Sequence, residues 1–178
     1  MIKNALSTLM YCGLACSFVS GASHAAGSGS GTVTFTGTII EAPCSIAQES
    51  ADQTVNLGQV ALEVLKQDDN QGFSTPVRFS IKLIDCSVVE EKASVVFRGV
   101  TSPTPNGLLT TTGSANFVYI GLRDSDGTRL PIGAYSNRVT LVNGSNTLDF
   151  SAFVQGNGSD EPTPGDFTGT AIFEMEYF

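Results

Sequence analysis

The chain has 178 residues, 41% of them hydrophobic and 15% charged, which is enough apolar side chain for one domain with a real core. It carries 9 Lys and Arg against 17 Asp and Glu, for a net charge of -8. Such a surface repels a phosphate backbone, so nucleic acid is set aside as a partner. Trp is absent and the one His is His24.

The chain opens with Lys3, then an uncharged and largely apolar run over residues 5–19, then Ser20, Gly21 and the small residues of ASHAA. This is the layout of a secretory signal peptide. Ser23 and Ala25 occupy the -3 and -1 positions of a small-x-small cleavage site, which places the cut after Ala25, with Ala26 as the alternative. The apolar run is shorter than the roughly 20 residues that span a bilayer. Cys16 is preceded by Gly13, Leu14 and Ala15, with Gly where a lipoprotein signal has an aliphatic residue. Removal of residues 1–25 would take away Lys3, Cys12, Cys16 and His24, leaving eight basic residues against 17 acidic ones and two cysteines, Cys44 and Cys86. In an exported chain such a pair reads as a disulfide, because two thiolates without a His make a poor metal site.

Residues 26–31 (AGSGSG) are too small to pack and read as a flexible lead-in. Over residues 31–39, Gly31, Val33, Phe35, Gly37 and Ile39 alternate with four threonines, the period of a β-strand. This strand could pack in its own chain or be offered to another molecule, and periodicity does not choose between the two. Val55 and Leu57 before Gly58 suggest a short strand, and residues 61–67 one or two helical turns. The strongest strand signal is Val77, Phe79, Ile81 and Leu83 alternating with Arg78, Ser80 and Lys82, running into Cys86. Further strands are expected at residues 93–100, 117–123, 138–142, 147–155 and 167–178, with turns at 124–127, 143–146 and 156–165. Several short strands, little helix and regular turns predict an antiparallel sandwich of immunoglobulin type.

Catalytic candidates are few. A hydrolase triad or a catalytic zinc generally needs a His, and residues 26–178 contain none. Two carboxylate pairs, Asp124 with Asp126 and Glu90 with Glu91, have the residue types of a glycosidase, but each reads better as a turn or a solvated face. The DSDG stretch from Asp124 starts like a calcium loop, yet its twelfth position is Tyr135 and not Glu. Asn143-Gly and Asn157-Gly read as turns. A monomeric carbohydrate-binding module is the alternative to a structural role. It would need an exposed aromatic platform, and the Phe residues fall mostly at core positions of the strands.

Four features together resemble the subunits of chaperone-usher fimbriae, the pilins of Gram-negative bacteria. They are GTVTFTGTIIEAPCSI (residues 31–46), ADQTVNLGQV (51–60), FSIKLIDC (79–86), and an ending with Gly165 fourteenth from the end and Tyr177 penultimate. The resemblance covers residues 26–178. It implies an all-β, immunoglobulin-like sandwich lacking its last strand, in a pilin domain at residues 41–178, behind a donor-strand extension at residues 26–40. The groove left by the missing strand would be filled in trans, first by a periplasmic chaperone and then, at the outer-membrane usher, by the extension of a neighbouring fimbrial subunit; pilins are a known instance of such strand addition. By the same resemblance, Gly31, Val33, Phe35, Gly37 and Ile39 form the donor face, and Cys44 and Cys86 the family disulfide. Gly165, Phe167, Gly169, Ala171, Phe173, Met175, Tyr177 and Phe178 form the chaperone-binding edge of the groove. No cofactor, metal or catalytic residue is implied. The implied destination is a fimbrium on the cell surface, reached through the periplasm.

Overall fold

The computed structural model describes residues 30–39, 42–87, 91–103 and 107–178. The expected export segment and its cleavage site, with Cys12, Cys16 and His24, lie outside the described residues, as do residues 26–29, Ile40, Glu41 and Glu90. The chain divides into two units, residues 1–39 and 40–178, and all the regular structure described lies in the second.

In chain order, β1 (Ser45–Ile46) leads into a helical turn, α1 (Gln48–Ala51), then residues 53–60 and a second helical turn, α2 (Leu62–Leu65). A tight turn over Gln67–Asn70 follows, with left-handed φ of 50°, 54° and 61° at Asp68, Asp69 and Asn70. Then come β2 (Val77–Cys86), β3 (Lys92–Arg98), β4 (Leu109–Thr110), β5 (Thr112–Gly113), β6 (Val118–Arg123), β7 (Arg129–Leu130), β8 (Val139–Thr140), β9 (Gly144–Gly156), β10 (Phe167–Thr168) and β11 (Ile172–Tyr177).

The strands form two antiparallel sheets and a short separate ladder. The larger sheet runs β1-β2-β9-β6-β4 with β7 on β6, the smaller runs β11-β3-β8, and β10 pairs with β5. Alternation decides what each sheet buries. Phe79 and Ile81 of β2 stand opposite Phe150 and Leu148 of β9 and point inward, while Arg78, Ser80 and Lys82 point out. From the smaller sheet Ala93, Val95 and Phe97 meet them in one core. Three rings pin the sheets together: Phe97 lies edge-on to Phe150 at 5.1 Å and to Phe79 at 5.9 Å, and Phe79 is 5.7 Å from Phe150. The outer side of β3 is covered as well. The Val95 N–H and the Ser94 hydroxyl both bond to Ser136, at 2.8 Å each, and Tyr135 bridges to Val96.

Several expected elements take a different form. Residues 31–39 and 53–60 have no regular secondary structure and belong to no sheet, and the second segment turns at Gly58, where φ is 71°. The expected strand at 138–142 shrinks to β8, and β9 begins at Gly144, so of the expected 143–146 turn only the bend at Asn143 remains. Gly144 takes φ 92° there and Gly158 takes φ 77° at the second Asn-Gly, a backbone that favours glycine. The last strand is broken into β10 and β11, which pair with different strands. DSDG is a turn: the Gly127 N–H donates to the Asp124 carbonyl, the Asp124 carboxylate accepts from the Ser125 and Asn137 N–H groups, and Asp126 accepts from Thr128 and Asn137. Both acids are occupied as turn acceptors.

The Cys44–Cys86 disulfide joins the entry to β1 with the end of β2, across 42 residues of chain. Asp85 takes φ 53° and the β2–β9 register shifts between Leu83 and Cys86; the Ser87 N–H then bonds to the Pro43 carbonyl. A loop of that length is stabilised by about 4 kcal/mol through restriction of the unfolded chain. Replacing both cysteines, Cys44→Ser with Cys86→Ser, removes that term without leaving a free thiol. The unfolding free energy from a urea titration should fall by about that amount, and the yield of folded protein should drop sharply.

Candidate functional site

Residues 166–178 alternate without a break between exposed and half-buried positions. The half-buried set is Phe167, Gly169, Ala171, Phe173, Met175 and Tyr177, which is the face the sequence predicts; Gly165, at the start of the segment, and Phe178, at its end, are exposed. The outward set is tied to neighbouring polar groups. Arg98 donates to Glu174 at 2.6 Å and the Tyr135 hydroxyl to Glu176 at 2.9 Å, and the Glu176 bond is the main cause that raises the pKa of Tyr135. At the end of the strand, Phe178 exchanges both backbone bonds with Lys92, and its ring lies 3.7 Å below the Arg138 guanidinium. Burial, reinforced by Glu91, pushes the Tyr177 hydroxyl up in pKa and favours its neutral form.

The inward set is only half-buried because nothing in its own unit covers it on one side. β11 is an end strand of the smaller sheet, paired to β3 alone. Across from it run residues 53–60, for which no backbone-to-backbone hydrogen bond to a neighbour is found among the described residues. Between these rims lies a groove of about 1040 Å³, floored by Phe79, Phe97, Ile120, Leu122, Ala152 and Val154. Two rims with unpaired backbone and an apolar floor call for an occupant that supplies hydrogen bonds along both edges and apolar side chains on one face. A β-strand has that combination. A small molecule would leave the rim N–H and C=O groups unpaired, at a cost for each.

Close approach at glycine keeps the groove edge in place. A Cβ on Gly169 would come 2.6 Å from Ile120 Cδ1 and 3.2 Å from Leu109 Cδ2, and one on Gly99 would strike Leu109 Cδ1. Gly169 thus lets this part of the chain lie against the larger sheet with the Ile120 and Leu109 side chains in place; a side chain there would make them shift. The opposite rim was the part of the site least visible in the sequence: the alternation of Val55 and Leu57 marks it as extended but not as unpaired.

The other predicted residues lie in the first unit. Residues 30–39 form no regular structure and are exposed, and the apolar side of their alternation is in water: Val33 is 73% exposed, Phe35 89% and Ile39 102%. Side chains of that kind are usually buried, so the segment carries an apolar face with no cover in its own unit.

Residues 33–177 match the family model described as fimbrial protein. The chain is 43% identical to the fimbria A protein of Serratia marcescens over 161 residues, covering 89% of this chain and 91% of that one. Among solved structures it is similar to a chaperone-usher pilus chain, with a TM-score of 0.73 at 28% identity over 85% of this chain and 97% of that one. It is also similar to the P pilus rod subunit PapA, with a TM-score of 0.67 at 27% identity over 77% of this chain and the whole of that one.

Gly169→Val would force a branched side chain against Ile120 and Leu109, at a cost of about 1–3 kcal/mol for overpacking. Thr170→Val, one residue on and exposed, is the control and should stay within about 0.5 kcal/mol of the parent. Urea denaturation of the two variants reads the difference.

Proposed function

The chain belongs to the fimbrial protein family, and on that premise we propose that its groove is filled by an extended strand from another molecule, the donor in the fibre being residues 31–39 of a neighbouring subunit. The protein is a structural subunit of a surface fimbria, an immunoglobulin-like sandwich exported and polymerised outside the cell. The observation that carries the strand assignment is the pairing of an unfilled apolar groove with an exposed, alternating apolar segment in the same sequence. The two are complementary in kind: one has unpaired rims and a bare floor, the other an unpaired backbone and one apolar face. Nine extended residues reach about 30 Å. Gly31 and Gly37 leave room where the donor backbone must lie close to the floor, and Val33, Phe35 and Ile39 supply the buried area.

Before assembly the same groove needs a temporary occupant, because an open apolar edge aggregates. We assign that role to a strand of a periplasmic chaperone, pairing along the edge from Gly165 to Phe178, with exchange for the next subunit's extension at an outer-membrane usher. Cys44 and Cys86 brace the subunit in both states. The monomeric carbohydrate-binding reading has no comparable support, since it leaves both the groove and the exposed extension without a purpose.

The two ends of the chain should fail at different steps. Burying Phe35 is worth about 2–3 kcal/mol by area, so Phe35→Arg should give subunits that co-purify with the cognate chaperone but form no fibres. Normal fibres from this variant would show that residues 31–39 are not the donor. Deleting residues 176–178 removes Tyr177 and moves the terminal carboxylate by about 10 Å along an extended strand. That truncated chain should be lost before chaperone capture, and wild-type co-purification would overturn the chaperone-edge assignment.

A further inference from the structure

Three of the basic residues stand in one line across the outer side of the larger sheet. Arg78 on β2 is in register with Ser151 on β9, Ser151 with Arg123 on β6, and Arg123 with Arg129 on β7. Residues directly opposite one another share a face. The next positions along, Phe79, Ala152, Leu122 and Leu130, point into the core or the groove, so the row points away from both. Among the described residues none of the three guanidinium groups forms an ion pair with a carboxylate.

Two of them are held firmly. Arg123 lies 5.2 Å from the ring centre of Phe73 and 5.1 Å from that of Phe153, and Arg129 lies 5.3 Å from Phe153. Arg123 donates to the Gly127 carbonyl at 3.2 Å and Arg129 to Gln155 Oε1 at 2.8 Å. Beneath them Phe153 is fully buried although it stands on the outer side, its ring filling the space over Gly121. Arg123 Nε is buried and has no acceptor. Like charges directly opposite destabilise a strand pair, and burial together with Arg123 lowers the pKa of Arg129. Covering Phe153 calls for long side chains, not for two adjacent positive charges. Arg78, exposed and without a ring contact, is no part of that cover. On the same face, Asp149 stands opposite Ser80, one pair along from the row, and forms no ion pair among the described residues, while Asp126 is taken by Thr128 and Asn137.

The complementary feature is the turn over Gln67–Asn70. Asp68 and Asp69 are exposed, neither carboxylate has a partner among the described residues, and both sit in left-handed backbone. Non-glycine residues persist in that conformation only where their surroundings impose it. Here the Gly72 and Gln71 N–H groups bond to the Gln67 carbonyl, the Gly158 N–H bonds to the Asn70 carbonyl, and the Gln155 side chain bonds to the Gln71 carbonyl. The turn is a fixed pair of adjacent acids, as the row is a fixed line of arginines.

We propose that the row of Arg78, Arg123 and Arg129 docks the Asp68–Asp69 turn of a second copy of this chain, a lateral contact separate from strand exchange. The choice of occupant rests on the fibre reading, because polymerisation holds copies of an acidic chain at high local concentration. Guanidinium forks suit carboxylates in pairs. The row and the turn adjoin on one subunit, linked by the bonds from Arg129 to Gln155 and from Gln155 to the Gln71 carbonyl, but they are different residues, so the contact can be heterologous and continue along an open filament.

The test uses fibres of full-length Arg78→Lys chain, which keeps the charge and introduces an amine that carbodiimide can couple to a carboxylate. In fibres mixed from 14N and 15N subunits, tryptic mass spectrometry should find an amide between position 78 and position 68 or 69 that carries both labels, which marks it as a link between two subunits. Adding Asp68→Asn with Asp69→Asn removes both carboxylates and serves as the control in which that product cannot form. Coupling of position 78 to acids elsewhere, or to none, in fibres that electron microscopy shows to be intact would overturn the lateral contact and leave strand exchange standing. If no fibres form, the strand-exchange reading is what has failed. The same coupling is then run on the concentrated unassembled chain at low salt, where a 78-to-68/69 product with both labels supports the contact and its absence overturns it.

Discussion

Most of this structure is organised around a strand that its own pilin unit does not contain. Two sheets share a core of Phe79, Phe97 and Phe150, yet the edge at β11 and the segment at residues 53–60 face each other across open space. Hydrophobic burial and backbone pairing both stop short at the same place. A single extended segment from outside repairs both deficits at once, which ties the stability of the subunit to its partner. Folding and assembly are then successive stages of one burial process.

The rest of the unit keeps that opening in shape. The disulfide fixes the entry to β1 against the end of β2. On the other side, Gly169 lets the last strand lie against Ile120 and Leu109. The Arg98–Glu174 and Tyr135–Glu176 contacts sit on the exposed side of β11. Exposed pairs of this kind contribute little to stability. Their effect is on orientation, because an outer face that holds polar partners leaves Phe173, Met175 and Tyr177 facing inward.

The outer face of the larger sheet follows a different rule. Phe153 is buried there without belonging to the main core, under a cover of Phe73, Arg123 and Arg129. Gly121 makes this possible, since any side chain at that position would occupy the place of the ring. The result is rigid positive charge on a chain whose overall charge is negative. Charge of either sign is thus concentrated in fixed patches, with acids at the Gln67–Asn70 turn and arginines across β2, β6 and β7.

Much of the fold was legible in the sequence, because a strand buried on one face leaves a period of two. β2, the first half of β9 and the inward face of residues 167–177 could be read in this way, whereas β3, buried over five successive residues, and β6 were legible as short apolar runs, and Cys44 with Cys86 by being the two cysteines after residue 25. Four two-residue strands, β1, β4, β5 and β7, were not legible, since two residues are too few to show a period. The break between β10 and β11 was hidden for a different reason: alternation runs straight through it, and only the change of pairing partner divides it. Alternation also marked residues 31–39 and residues 53–60 alike as extended. It could not tell that both lack a partner, because side-chain period records which face is apolar and says nothing about what lies beside the backbone. Sequence by itself therefore determined the strand faces, the disulfide and the apolar alternation of residues 31–39. Only tertiary structure decided where the sandwich stays open, because a groove is defined by the contacts that distant segments fail to make.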